Sequence, residues 1–276
     1  MKHRSCQLSR LHLAALCACE AVAFVLLLWL VPMLPPYKWV VRGLWLEQHP
    51  TLVYYLNRDD SDLAAKIGHY YFNGGDYDLG RAAASYRLAL ALSPNMPLAH
   101  YQLARIDFVQ GRLDDALREI NAELALRPQY LRSLYVRGLI DINRHDLPSA
   151  EADFRGFVAW APTEWAGYND LAYVLGEELN SAESEQVVKQ AFAAVPGATA
   201  NAWLWNSLGL AQLNELHYTE AIKSFIQAQL LAQSMTVDDW SRAYPGNSPA
   251  AASASLDAFR QAIDANIAAA QKQSAF

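Results

Sequence analysis

The chain has 276 residues, 53% of them apolar and 18% charged, which excludes a disordered polyelectrolyte and permits a large core or an extended array. Lys2, Arg4 and Arg10 crowd the start and Glu20 is the lone acid before residue 47, while residues 35–276 hold 19 Lys and Arg against 27 Asp and Glu, a balance that argues against nucleic-acid binding. Cys6, Cys17 and Cys19 are the only cysteines, so no disulfide framework or thiolate metal site can form in the rest.

In chain order, the first predicted element is a membrane anchor behind a cytoplasmic tail of residues 1–10. Residues 11–34, LHLAALCACEAVAFVLLLWLVPML, are mostly apolar and exceed the roughly 20 residues that cross a bilayer as a helix. Three side-chain cations precede the run and only Lys38 and Arg42 follow it closely, so the bias keeps the N-terminus cytoplasmic and puts the body outside. Tyr37, Trp39 and Trp45 suit the headgroup boundary. A cleaved signal peptide is the competing reading, but no A-x-A-like site follows the run. A lipoprotein signal fits less well, because most of the apolar core follows Cys19. Glu20 lies inside the span, either met by a partner helix or held protonated or snorkelling near the inner boundary. The body has no cysteine and no N-x-[ST] acceptor, which fits the outer side of a bacterial inner membrane, the periplasmic space included.

Residues 35–60 read as a juxtamembrane linker, with a short helix within 46–60 and Pro50 near its start. Beyond it, apolar helical runs halt at Pro94, Pro128, Pro162 and Pro196, which stand 34 residues apart. Proline lacks an N–H and its ring clashes with the preceding turn, so its regular return marks regular helix ends. Small residues recur at Ala104, Gly138 and Ala172, and again at Ala82, Ala116, Ala150 and Ser184; a bulkier side chain recurs at Tyr86, Ile120, Phe154 and Val188. These spacings describe two antiparallel helices per unit, with small side chains where the axes approach and a large one beside them. Turn formers lie between: NGGDYD, QGRLDD, NRHDLPS and ELNSAES.

This pattern resembles the tetratricopeptide repeat family, a 34-residue helix-turn-helix unit with small residues at its eighth and twentieth positions, an aromatic near the twenty-fourth and proline at the thirty-second. A fifth copy carries Trp205, Leu208, Gly209, Ala221, Phe225 and Ala228 at matching places, shifted three residues around PGA. The first copy, with Ile67 and Gly68, holds two extra residues around NGGD. Glu123 and Phe157 depart from the small residue preferred at the twenty-seventh position, which puts the local packing in question. The resemblance implies an all-α, right-handed solenoid of about five helical hairpins over residues 61–233. Residues 234–276 then supply a loop, including YPGNSPAAASAS, and a capping helix with Leu256, Phe259, Ala262, Ile263 and Ile267 on one face.

Little in the sequence carries chemistry. His49, His69, His100, His145 and His217 form no H-x-x-x-H or H-E-x-x-H arrangement, and no G-x-S-x-G, Walker or dinucleotide motif is present. Asp114-Asp115 and Glu177-Glu178 are adjacent on helices, so their carboxylates point in different directions. No catalytic, cofactor or metal residue is expected. In the family the first helix of each unit lines a groove that binds protein or peptide. The matching positions are Tyr101, Arg105 and Phe108 in the second unit, Arg132, Tyr135 and Asn143 in the third, Asn169, Tyr173 and Glu177 in the fourth, and Trp203, Asn206 and Asn214 in the fifth. Phe108 and Tyr173 serve equally well as packing between neighbouring first helices. The family's carboxylate clamp of Lys and Asn is not reproduced. The reading is a membrane-anchored adaptor or scaffold without enzymatic activity in the assembly of an envelope complex, or alternatively an accessory subunit of an envelope enzyme or of a polysaccharide or secretion machine. The expected contacts Arg105, Arg132, Asn169 and Asn206 favour an acidic or carboxylate-bearing segment.

Overall fold

At Asp60, Asp78, Asp146 and Asn201 a side-chain oxygen holds one of the unpaired N–H groups at a helix start. The computed structural model describes residues 46, 49–74, 76–243 and 247–275. The expected anchor at 11–34 lies outside them; among the described residues no helix is long and apolar enough to cross a membrane. Helix α1 (Pro50–Leu56) has proline in its first turn, as its missing N–H permits. Helices α2 (Ser61–His69) and α3 (Leu79–Leu92) start behind Asp60 and Asp78, whose carboxylates accept from the Leu63 and Arg81 N–H groups at 2.9 Å. The following helices are α4 (Ala99–Val109), α5 (Leu113–Leu126), α6 (Arg132–Asn143), α7 (Leu147–Trp160), α8 (Trp165–Glu177), α9 (Ser181–Ala194), α10 (Ala202–Asn214) and α11 (Tyr218–Ser234). Pro94, Pro128, Pro162 and Pro196 each stand two residues past the end of a helix, α3, α5, α7 and α9 in turn. The described residues contain no strand.

Five hairpins result: α2 with α3, α4 with α5, α6 with α7, α8 with α9, and α10 with α11. Each second helix also packs on the first helix of the next unit, and first helices touch across units, as α4 with α6 and α8 with α10. The two extra residues of the first unit are absorbed as a π-helical turn, Tyr70–Gly74, which buries Tyr71 and Phe72. A helix widened by one turn can thus take an insertion without disturbing the next hairpin.

Inside each hairpin a small residue faces a large one. A Cβ on Gly68 would stand 2.8 Å from the Tyr86 ring, one on Gly138 2.8 Å from Phe154, and one on Gly209 2.5 Å from Phe225, distances real Cβ atoms do not adopt. In the second and fourth units the small residue is alanine, and its counterpart shrinks to Ile120 or Val188, buried in the same clusters as Ala104 and Ala172. Helix approach therefore alternates between glycine with an aromatic ring and alanine with a β-branched chain. A gain in volume on one helix is met by a loss on the other, as close packing requires.

Both departures at the twenty-seventh position are accommodated. Glu123 is fully buried, yet its carboxylate accepts from Arg127 Nη1 at 2.7 Å and from the Tyr101 N–H at 3.3 Å. That N–H lies in the first turn of α4, whose own N-cap, Leu98, offers no side-chain acceptor. The carboxylate from α5 takes the capping role, where the helix dipole favours an anion. Phe157 fits because α8 carries Gly167 opposite it, where a Cβ would lie 2.6 Å from the ring.

The C-terminal region differs in part from expectation. A short helix, α12 (Val237–Ala243), forms before the loop, started by Thr236 and Asp239 bonding each other's N–H groups at 2.8 and 3.2 Å. Helix α13 (Ala252–Ser274) begins inside the stretch read as loop. It packs on α11 and on α10, and Arg260 donates to the Ala232 and Met235 carbonyls at the end of α11. Leu256 and Ile263 are buried and Phe259 and Ile267 half-buried, but Ala262 is exposed and Ala270 is buried in its stead.

Gly138→Ala is expected to destabilise the fold by about 1–3 kcal/mol, because the added methyl must displace a fully buried ring. Adding Phe154→Ile should recover part of that loss, since alanine facing isoleucine is the second unit's own solution. Urea midpoints of the three variants check this; additive losses would show that the two positions do not share one space.

Candidate functional site

The first helices α4, α6, α8 and α10 supply all twelve of the expected contact residues. Those near the starts of these helices are engaged within the fold. Tyr101 is buried edge-on to Tyr130 at 5.3 Å. Arg105 lies with Cζ 4.7 Å from the Phe72 ring centre and donates to Gln102 at 2.9 Å. Burial raises the Tyr101 phenol pKa, an effect the Arg105 charge opposes. Arg132 pairs with Glu164 of the next unit at 3.6 Å. Phe108, near the end of α4, packs on the cluster of Ala104 and Ile120.

A polar ladder crosses three first helices. The Tyr135 hydroxyl donates to Asp170 Oδ2 at 2.8 Å, Asn169 Nδ2 donates to Asp170 Oδ1 at 3.0 Å, and Ser207 Oγ donates to Asn169 Oδ1 at 2.9 Å. It ties α6 to α8 and α8 to α10. Asn206 in turn accepts from Asn266 of α13 at 3.0 Å. Trp203 stands between Trp165 at 4.9 Å and Phe259 at 5.6 Å, with Trp240 of α12 at 5.7 Å. The C-terminal segment thus occupies the fifth-unit positions where partner contacts were expected. Burial pushes the Asp170 carboxyl up to about 6, with the Tyr135 and Asn169 hydrogen bonds opposing it.

The expected contacts nearer the helix ends behave differently. Asn143, Tyr173, Glu177 and Asn214 are exposed, and Asn143 bonds the Leu139 carbonyl of its own helix. These four come from successive first helices, α6, α8 and α10, and lie beside the turns that lead into the second helices. Two residues that the repeat register did not single out stand in those turns, Leu179 and Leu216, 89% and 66% exposed. Their signal was available: they occupy the register of Gly111 in the second unit. Asp170 escaped notice because it sits one position beyond the register considered. Among the described residues, no group of three His, Cys, Asp or Glu side chains is placed to hold a metal ion.

No protein-family model matches the chain, and no curated protein matches it by sequence. Solved structures do. MamA protein superposes with a TM-score of 0.55 at 16% identity, over 67% of this chain and 94% of that one. A MamA fragment from Desulfovibrio magneticus RS-1, residue 41 to its end, gives 0.57 at 18%, over 65% and 99%. YrrB, described as a TPR protein with an unusual peptide-binding site, gives 0.53 at 15%, over 67% and 92%. The fold is that of a tetratricopeptide repeat solenoid. In this solenoid the polar ladder and the aromatic stack bind first helix to first helix.

The ladder makes stability depend on pH in a definite direction. With its pKa raised from the ordinary 3.8 to about 6, Asp170 keeps in the folded state, between about pH 4 and 6, a proton that the unfolded chain releases. Its contribution is therefore full below about pH 4 and is lost as pH rises through 6. Asp170→Asn keeps a neutral group there, and the Tyr135 hydroxyl can accept from it as well as donate. The variant should gain on the parent by about 1–3 kcal/mol between pH 4.5 and 7.5. Denaturant titrations at both pH values check this; a constant difference would show that Asp170 is ionised in the fold at both.

Proposed function

We propose that this chain is a membrane-anchored, non-enzymatic scaffold that binds a protein or peptide partner along the exposed ends of its first helices, in assembly of an envelope complex. The observation carrying the reading is the row of Asn143, Tyr173, Glu177 and Asn214, outward-facing side chains from successive stacked helices. A solenoid that repeats a position along its axis turns single side chains into a stripe suited to an extended chain. The likeness in fold to YrrB supports a peptide as one form of partner. Arg105 lies against Phe72 and Gln102, and Arg132, about half exposed, pairs with Glu164 at 3.6 Å, so both already have partners within the fold.

The test is photocrosslinking in the cell with benzoylphenylalanine in place of Tyr173, and separately of Arg118 on a second helix. Adducts to a partner polypeptide are expected from the first position and not from the second. Adducts from Arg118 alone would move the binding surface to the other side of the solenoid.

The anchor and its orientation belong to the same proposal, supported by the apolar run at 11–34 and the cations before it. Protease added to intact spheroplasts should digest the solenoid and spare the first residues. Protection of the solenoid would place it in the cytoplasm.

A further inference from the structure

Four first helices end in the same way. After α4, α6, α8 and α10 the chain turns through one left-handed residue: Gly111 at φ 73°, His145 at 60°, Leu179 at 62° and Leu216 at 64°. In each, the next N–H reaches back to a carbonyl five residues earlier, Arg112 to Asp107, Asp146 to Asp141, Asn180 to Leu175 and His217 to Gln212, at 2.8–2.9 Å. This is the helix-ending motif in which glycine is free of steric cost and leucine is not. Gly111 shows that the hydrogen bonds do not require a side chain. Leu98, also at positive φ, is half-buried against the cluster around Tyr101 and Ala104, so its conformation is offset by packing. Leu179 and Leu216 have no such return, because they project into solvent.

The two leucines stand at equal places in adjacent units whose first helices pack together and are bonded through Ser207 and Asn169. Tyr173, 46% exposed, lies one turn before the end of α8, the same first helix whose end Leu179 forms. The turn segments themselves are rich in carboxylates. Residues 177–183 and 214–220 contain Glu177, Glu178, Glu183, Glu215 and Glu220 and no Lys or Arg. Among the described residues only Glu183 of these forms an ion pair, with Arg155. The Glu178 carboxyl is raised by burial and by the charge and hydrogen bond of neighbouring Glu151, an effect the Arg155 charge opposes.

We propose that the turn edge of the fourth and fifth units, an apolar patch of Tyr173, Leu179 and Leu216 inside a rim of carboxylates, docks a basic amphipathic segment of a protein partner. The inference rests on the proposed scaffold function and names its partner's chemistry. Apolar side chains of the segment cover the leucines, and its Lys or Arg residues meet Glu177, Glu178, Glu215 and Glu220. An acidic peptide or an anionic lipid surface would meet like charge at this edge. A second copy approaching through the same edge would do so too.

The probes are two 14-residue helical peptides with identical leucine positions, one carrying Lys and the other Glu on the polar face, titrated against the full-length chain in zwitterionic lipid with empty lipid as the blank. The Lys peptide should bind and the Glu peptide should not, and binding should weaken about tenfold as salt rises from about 50 to about 500 mM. Leu179→Gly with Leu216→Gly should weaken the Lys peptide about tenfold while the thermal midpoint rises, since glycine relieves the left-handed backbone. Glu177→Lys with Glu215→Lys should reverse the preference between the peptides. Equal binding of both peptides, unchanged affinity in the glycine variant, or a lowered thermal midpoint for that variant would each overturn the inference. Should Tyr173 still crosslink to a partner in such a case, the scaffold function stands and only this assignment of its partner falls.

Discussion

The closeness with which the two helices of each hairpin cross determines what the rest of the molecule can do. At Gly68, Gly138 and Gly209 an aromatic ring lies where a side chain would begin, and at Ala104 and Ala172 a smaller chain fills a smaller gap. Such contacts leave no freedom in the angle between helices, because rigid rings transmit any change in spacing to the backbone. With that angle set five times, the second helix of each unit presents a fixed surface to the next first helix. The polar ladder through Tyr135, Asp170, Asn169 and Ser207 can then be made with ordinary hydrogen-bond lengths.

Most of this crossing was legible in the sequence, because a close helix crossing repeated at one interval needs a small residue and a bulky one at that same interval. The ends of the second helices were legible on similar grounds, since proline cannot continue a helix. Some features were hidden for identifiable causes. Glu123 looks like a packing fault when its own helix alone is considered; its role is apparent only once Tyr101, in a different helix, is known to lie beside it. Phe157 likewise needs Gly167, whose opposition to it depends on how two units dock. Helix α12 carried a readable start in Thr236 and Asp239, but none of its seven residues is fully buried and Trp240 alone packs inward, so no apolar period announced it.

The candidate surface was less legible than the fold. Register alone marks which positions lie on the first-helix face, and does not separate those used up by neighbouring helices from those left outside. Asn169 and Asn206 share one register and both are engaged, the first with α10 and the second with α13. Tyr173 and Glu177, one turn apart, remain outside. The difference follows position along the helix: the contacts between first helices gather near their starts, and in the last unit α12 and α13 close over that end with Trp240 and Phe259.

The cap on α4 has a consequence for how the solenoid comes apart. An ordinary cap is local, so a helix can fray at its first turn and re-form without reference to anything else. Here the acceptor for the Tyr101 N–H is Glu123, and Glu123 is in turn held by Arg127, which also donates to the Asn95 carbonyl ahead of α4. Loosening the start of α4 therefore strands a buried carboxylate and its guanidinium together, at the junction with the first unit. The second unit is thereby made to open as a block with the approach to it, and a chain of nearest-neighbour units acquires one joint that resists unzipping from the N-terminal side.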